Sequence, residues 1–235
     1  MAKNQKIVAI HQPNFFPWLG FFNKINKADA FIFLDHVQFS KSQGTWSNRV
    51  KLLLNKTPTW VTAPIERNFS GVKNINDMYF QKNNPWRKKM IKTLELNYKK
   101  APFFYEIIND ISALVLNEED NISKYNIELI KFITEKLNIP SEKFYLSSEL
   151  PIIGHSNEML ISLINSVGGN IYMCGGGADS YQDEEMFKKN FIQLTHQNFI
   201  HPVYNQINIL SHENGLSILD ALFNIGWNDT KKIIT

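Results

Sequence analysis

The chain has a single cysteine, Cys174, among its 235 residues. No intrachain disulfide can form, and a reducing compartment is expected. No stretch approaches the roughly 18 apolar residues that carry a helix across a bilayer. The start, Met1-Ala2-Lys3-Asn4-Gln5-Lys6, has no apolar leader region, so a cytoplasmic location is expected. Charge of one sign is scarce: 25 Lys and Arg face 22 Asp and Glu, a net +3. No dense basic stripe stands out, which argues against a nucleic-acid partner. None of the six histidines has a ligand spacing such as H-x-x-x-H, so no metal is expected. Internal repeats and low-complexity linkers are also missing.

What remains is ordinary globular material, 43% hydrophobic and 20% charged. The pattern predicts an α/β fold over residues 1–235 as one domain. Its core is a three-layer, Rossmann-like arrangement with a mostly parallel sheet. Ile7-Val8-Ala9-Ile10 reads as a buried strand over about 6–10, and Pro17 opens a helix over about 17–27. Ala30-Phe31-Ile32-Phe33-Leu34 is a second buried strand. Strands over 49–54 and 59–63 flank a turn at Asn55-Lys56.

The middle of the chain is helical. Trp86, Met90, Leu94 and Tyr98 recur every fourth residue. Stripes through Phe104, Ile107 and Ile111, and through Ile122, Leu129 and Ile133, follow. An inserted helical region at about 84–138 is expected, and core packing alone accounts for these stripes. The α/β pattern resumes with a short strand at 144–146, a helix stopped at Gly168-Gly169 and a strand at 170–174. A helix at 183–189, a strand at 191–195 and a last helix at 217–225 complete the pattern. Ser217 caps that last helix, and Asp220 in its first turn suits the helix dipole.

Four constellations could carry chemistry. His11-Gln12 sits at the tip of the first strand and runs into Pro13-Asn14. An imidazole there, with a free pKa near 6.5, suits a general base. Asp35 ends the second strand and would orient His11 if the two strands are neighbours. Gln38, Lys41, Trp46, Asn48 and Arg49 follow in a polar, aromatic-bearing loop. Their donors suit phosphate or carboxylate oxygens, with Arg49 as the fork for a diphosphate. Cys174-Gly175-Gly176-Gly177 follows a strand and precedes Tyr181. The glycines let backbone N–H groups approach a ligand, although no P-loop or dinucleotide fingerprint is present. Cys174 could act as a nucleophile or be an inert strand end. In His201-Pro202-Val203-Tyr204-Asn205-Gln206, the side chains of His201, Tyr204 and Gln206 could line a sugar site.

The string Ile10-His11-Gln12-Pro13-Asn14-Phe15-Phe16-Pro17-Trp18-Leu19-Gly20 resembles the opening signature of the WbqC-like family. Ala28-Asp29, Leu34-Asp35, Val37-Gln38-Phe39-Ser40-Lys41 and Asn48-Arg49 extend the likeness. So do Tyr172 with its glycine run, Tyr181, the His201–Gln206 segment and 216–226. Cys174 stands where the family is expected to place Ser. The resemblance implies a role in bacterial surface-polysaccharide (O-antigen, lipopolysaccharide) biosynthesis. The activity it implies is transfer of an acyl or aminoacyl group to the amine of a nucleotide-linked amino sugar. No tightly bound cofactor is then needed. The donor would be a thioester on coenzyme A or on the phosphopantetheine of an acidic carrier protein. Arg87, Lys88, Lys89, Lys92, Lys99 and Lys100 would offer that carrier a basic helix face.

A weaker, fold-level likeness points to nucleotidylyltransferase and pantothenate-synthetase-like domains, hence to an ATP-dependent ligase. Asn14 stands where their H-x-G-H signature carries its second His. A non-catalytic sugar- or carrier-binding protein of the same pathway is the third reading.

Overall fold

The computed structural model describes residues 5–40, 45–175, 182–207, 209 and 211–235. Five strands form one wholly parallel sheet: β1 (Ile7–His11), β2 (Ala30–Phe33), β5 (Phe144–Leu146), β6 (Ile171–Cys174) and β7 (Gln193–His196). Their order across the sheet is β5-β2-β1-β6-β7. The strands are short apolar runs because both faces of the sheet are covered. Ala9, Phe31, Phe33 and Met173 point into one core, whereas Val8, Ile10, Ala30, Ile32, Tyr172 and Cys174 point into the other.

Helices α1 (Leu19–Lys27) and α7 (Ile218–Ile234) bring Phe21, Phe22, Ile25, Leu222 and Phe223 to the first core. Helices α5 (Asn157–Ser166) and α6 (Glu184–Lys189) bring Ile161, Leu163, Ile164 and Phe187 to the second. This is the three-layer α/β arrangement read from the sequence. The middle helices α2 (Trp86–Tyr98), α3 (Phe104–Leu116) and α4 (Ile122–Lys136) bury the expected stripes. Their apolar residues are continuous with the first core.

Strands β3 (Arg49–Leu54) and β4 (Thr57–Thr62) form a separate antiparallel hairpin. Its two-residue turn places Asn55 at φ +48° and Lys56 at φ +67°, the pair of positive φ angles that a type I′ turn needs. The second strand therefore starts at Thr57, two residues earlier than the pattern suggested, and takes in Pro58 at the hairpin's end.

The last helix also differs from expectation. It does not stop at residue 225 but breaks at Gly226, at φ +75° and ψ 177°, and then resumes to Ile234. A Cβ on Gly226 would stand 2.8 Å from Phe103 Cδ1, so both backbone and packing demand glycine there. Ser217 does cap the helix, accepting from Leu219 N. Among the described residues no helix is long and apolar enough to cross a membrane.

Candidate functional site

In chain order the five strands lie 3-2-1-4-5, so the direction of winding reverses between β1 and β6. In open parallel sheets, ligands occupy the crevice beyond the strand C-termini at this reversal. His11 ends β1 and Cys174 ends β6. Beyond them opens a cavity of about 310 Å³, walled by His11, Trp18, Phe21, Lys24, Gly175, Gln197 and Phe199. A larger hollow of about 630 Å³ lies among Asn170, Glu184, Lys188 and Gln193. That one opens at the N-terminal strand ends, the side such folds do not use for ligands.

Burial drives the chemistry of the first cavity. His11 is half-buried, and desolvation, with the Lys24 ammonium adding to it, pushes its pKa down to about 4. The Gln12 carbonyl opposes this by accepting from His11 Nδ1 at 3.0 Å. A carbonyl can only accept, so Nδ1 carries the proton and Nε2 is left able to take one. The ring packs edge-on against Phe21 at 4.8 Å between centroids. The imidazole is thus fixed and neutral, with the Nε2 lone pair free to accept a proton.

Lys24, only 5% exposed, faces the same cavity. Burial lowers its pKa to about 8, partly opposed by the neighbouring Cys174 thiol. Among the described residues its ammonium has no hydrogen-bond acceptor or ion-pair partner. A Cβ on Gly175 would stand 3.2 Å from Lys24 Nζ, so this glycine leaves the lysine head its room. Gln197 closes the wall by donating to Gly20 O at 2.6 Å and Asn23 Oδ1 at 2.9 Å. The Trp18 ring lies over Gly20, where a Cβ would collide with it.

Loop 12–17 is held from three sides. Asn126 of α4 donates to Pro13 O at 3.0 Å and to Ser47 O at 2.7 Å. Phe15 N donates to Trp46 O at 2.7 Å. Ser217 Oγ donates to Phe16 O at 2.8 Å. Phe16 itself sits at φ +42°, strained for a bulky residue and sustained only by such contacts.

The residues anticipated from sequence divide clearly. His11 and Gly175 meet in the cavity wall. His201 packs on Trp18 at 5.2 Å between ring centroids, which brings the 201–206 segment to the cavity's edge. Gln12 is half-buried beside His11, and Asn14 is buried in the loop that follows.

Asp35 does not orient His11, contrary to expectation. Its strand does neighbour β1, with His11 opposite Phe33. The carboxylate, however, turns to the residues after β5, on the far side of β2. It accepts from Ser147 Oγ at 2.8 Å, Ser148 N at 3.0 Å and Ser148 Oγ at 2.7 Å.

Tyr204 and Gln206 also turn inward rather than toward a sugar. Both donate to Asp220 Oδ2, at 2.8 Å and 2.9 Å, while Tyr98 donates to Asp220 Oδ1 at 3.0 Å. Burial raises the Asp220 pKa, and these three donors oppose the rise. The cluster straps the segment after β7 onto α7. Asn48 is likewise occupied, donating to Ala63 O at 2.9 Å.

Arg49 lies over the Trp60 ring at 4.2 Å, and Trp46 meets Trp60 edge-on at 4.8 Å. Arg49 Nε is buried without a hydrogen-bond partner among the described residues. This platform adjoins the loop after β1 through Trp46, but the cavity wall contains neither Arg49 nor Trp46. Gln38 is exposed and joins Asn74 through a backbone bridge. Cys174 is buried, donates to Thr195 O at 3.2 Å and lies 3.4 Å from His196 Nδ1. Lys41, Gly176 and Tyr181 lie outside the described residues. Among the described residues no cluster of three His, Cys, Asp or Glu side chains could hold a metal.

Sequence reasoning missed Lys24, Gln197 and the wall role of Trp18. A lysine in the last turn of a helix is the usual complement to its dipole, and Lys24 has that ordinary sequence position. The available signal was its position three and four residues after Phe21 and Gly20, on the helix's apolar face.

No solved structure matches the chain. The uncharacterized protein Rv1507c of Mycobacterium tuberculosis is 31% identical to it over 224 residues, covering 94% of each chain. The model of the WbqC-like protein family matches residues 12–232, from the residue after His11 almost to the C-terminus. The chain carrying this His11–Lys24 cavity therefore belongs to the WbqC-like protein family.

Proposed function

We propose that the protein transfers an acyl or aminoacyl group from a thioester to the amine of a nucleotide-linked amino sugar, in the synthesis of bacterial surface polysaccharide. The observation that carries this reading is the neutral His11 imidazole, with Nδ1 engaged and the Nε2 lone pair free, in the wall of a cavity at the sheet's winding reversal. The sugar nitrogen attacks the thioester carbonyl, and a C–N bond forms. His11 Nε2 takes the proton the nitrogen must lose. The C–S bond then breaks, and the same proton passes to the departing thiolate, leaving an amide and a free thiol. Such a transfer is downhill and requires neither metal nor ATP.

The half-buried faces of Trp18 and Phe199 suit the apolar side of a sugar ring. The Trp46–Trp60 platform with Arg49 suits a nucleobase and its diphosphate. Lys88, Lys89, Lys92, Lys99 and Lys100 are exposed on and just after α2 and suit an acidic carrier. Arg87 is instead occupied with Asn117 O, Glu119 O and Asp120.

The test is mass-spectrometric detection of an amide after incubation with acyl thioesters and a panel of nucleotide-linked amino sugars, with and without ATP. Transfer independent of ATP is expected, and His11→Ala should lower kcat by about 10²–10⁴-fold in a folded protein. Wild-type turnover in His11→Ala removes the proton role. Strict ATP dependence with pyrophosphate release replaces the reading with a ligase. Thermal stabilisation by a nucleotide sugar without turnover of any donor replaces it with a binding protein.

A further inference from the structure

We propose that Lys24 is the seat of an anionic oxygen group, a carboxylate or phosphoryl group borne by the ligand, and that its occupation arms His11. The inference rests on the cavity read above as the transfer site and adds the class of ligand it receives.

A buried cation without a partner is costly, and proteins ordinarily pair it or neutralise it. Lys24 is 5% exposed, faces the cavity and has no acceptor among the described residues. Among the described residues, the polar neighbours of Lys24 are engaged with one another and supply no counter-charge. Gln197 and Asn23 bond to each other, and Gln197 also bonds Gly20 O. Among the described residues, the titratable groups bearing on it are His11 from β1 and Cys174 from β6, and Cys174 in turn faces His196 of β7. None of these is a carboxylate. At Gly175 the missing side chain leaves open the space beside Nζ. The ammonium charge and the open space beside it coincide. A ligand oxyanion entering the cavity fills both.

The consequence reaches His11. Lys24 is one of the two causes that hold His11 at about pKa 4, after desolvation. An anion on Lys24 cancels that repulsion, so the imidazole becomes a stronger base when the ligand is in place. The site then stays a weak base while empty and strengthens on binding.

The test is titration of the ¹⁵N-labelled full chain at pH 7 with methyl phosphate in one arm and glucuronate in the other, against matched chloride. At least one arm should show saturable shifts at the Gly175 and Gln197 amides. Affinity should fall at least tenfold in Lys24→Met, and likewise in the wild type at pH 9.5, where Lys24 is neutral. Saturation by methyl phosphate assigns a phosphoryl group, and saturation by glucuronate assigns a carboxylate. The His11 ring resonances should titrate at higher pH with the anion bound. Non-saturable shifts in both arms overturn the proposal. So does binding that is unchanged at pH 9.5, a measurement that needs no variant to fold. Amide formation by a protein that binds neither anion would leave the transferase and discard this seat. Saturable binding without turnover would do the reverse.

Discussion

His11 is neutral because the fold removes its water and sets Lys24 nearby, and this has a measurable cost in acid. Its folded pKa, about 4, lies below its unfolded value of 6.5. Between those values the unfolded chain binds the extra proton, so stability rises with pH across the window and is lost as pH falls from about 6.5 to about 4. The contribution is at most ~3 kcal/mol, because water in the cavity screens part of it. His11→Gln cannot titrate. Urea unfolding at a series of pH values should therefore show a shallower loss for His11→Gln than for wild type between pH 6.5 and 4. Parallel curves would mean that His11 is not desolvated. The same residue scale shows the limit of strand-tip reasoning. Asp35 sits where its sequence position predicted, yet its carboxylate serves Ser147 and Ser148.

The elements were legible wherever their determinants are local. The continuous apolar runs of β1 and β2, the four-residue recurrence in α2 and the Ser217 cap each express a short-range pattern or bond. The continuation of α7 past Gly226 was not legible, because a glycine after an apolar helix usually marks its end. Here Phe103 packs against the break, and the chain resumes its helix toward Ile234. Gly226→Ala should destabilise the fold by about 1–3 kcal/mol from the backbone angle alone, with the Phe103 clash adding to that. Denaturant midpoints for Gly226→Ala and for Gly226→Ala with Phe103→Leu separate the two parts. The double variant should recover the steric share and keep the backbone share. A midpoint unchanged in Gly226→Ala would show that the break is not required.

At the scale of the whole molecule, the helical region does more than fill a core. Asn126 reaches from α4 to both Pro13 O and Ser47 O, more than 75 residues away in each case. It thereby ties the loop after β1 to the segment before β3. Asn126→Ala leaves two buried carbonyls without that donor and should cost about 2–4 kcal/mol. Differential scanning calorimetry would read this as a lowered Tm, and a loss under about 0.5 kcal/mol would show that the loop is held by its other contacts. Trp18 and His201, 183 positions apart in the chain, pack ring against ring at the cavity's edge. Both ends of the chain thus build the same rim.

The sequence by itself determined the layers. Short apolar runs and a period of about 3.6 residues decide which side chains leave water, and short-range bonds decide where helices begin. It also determined that His11 and the glycine after β6 stand at strand ends. Only the tertiary structure decided the partners of the polar groups. Among the described residues Lys24 has no acceptor, and the residues that follow β6 and β7 cover it. Tyr204 and Gln206 became a strap because Asp220 is buried beneath them. Hydrogen bonding and desolvation depend on neighbours brought from far along the chain, and no local pattern of residues encodes which neighbours those are.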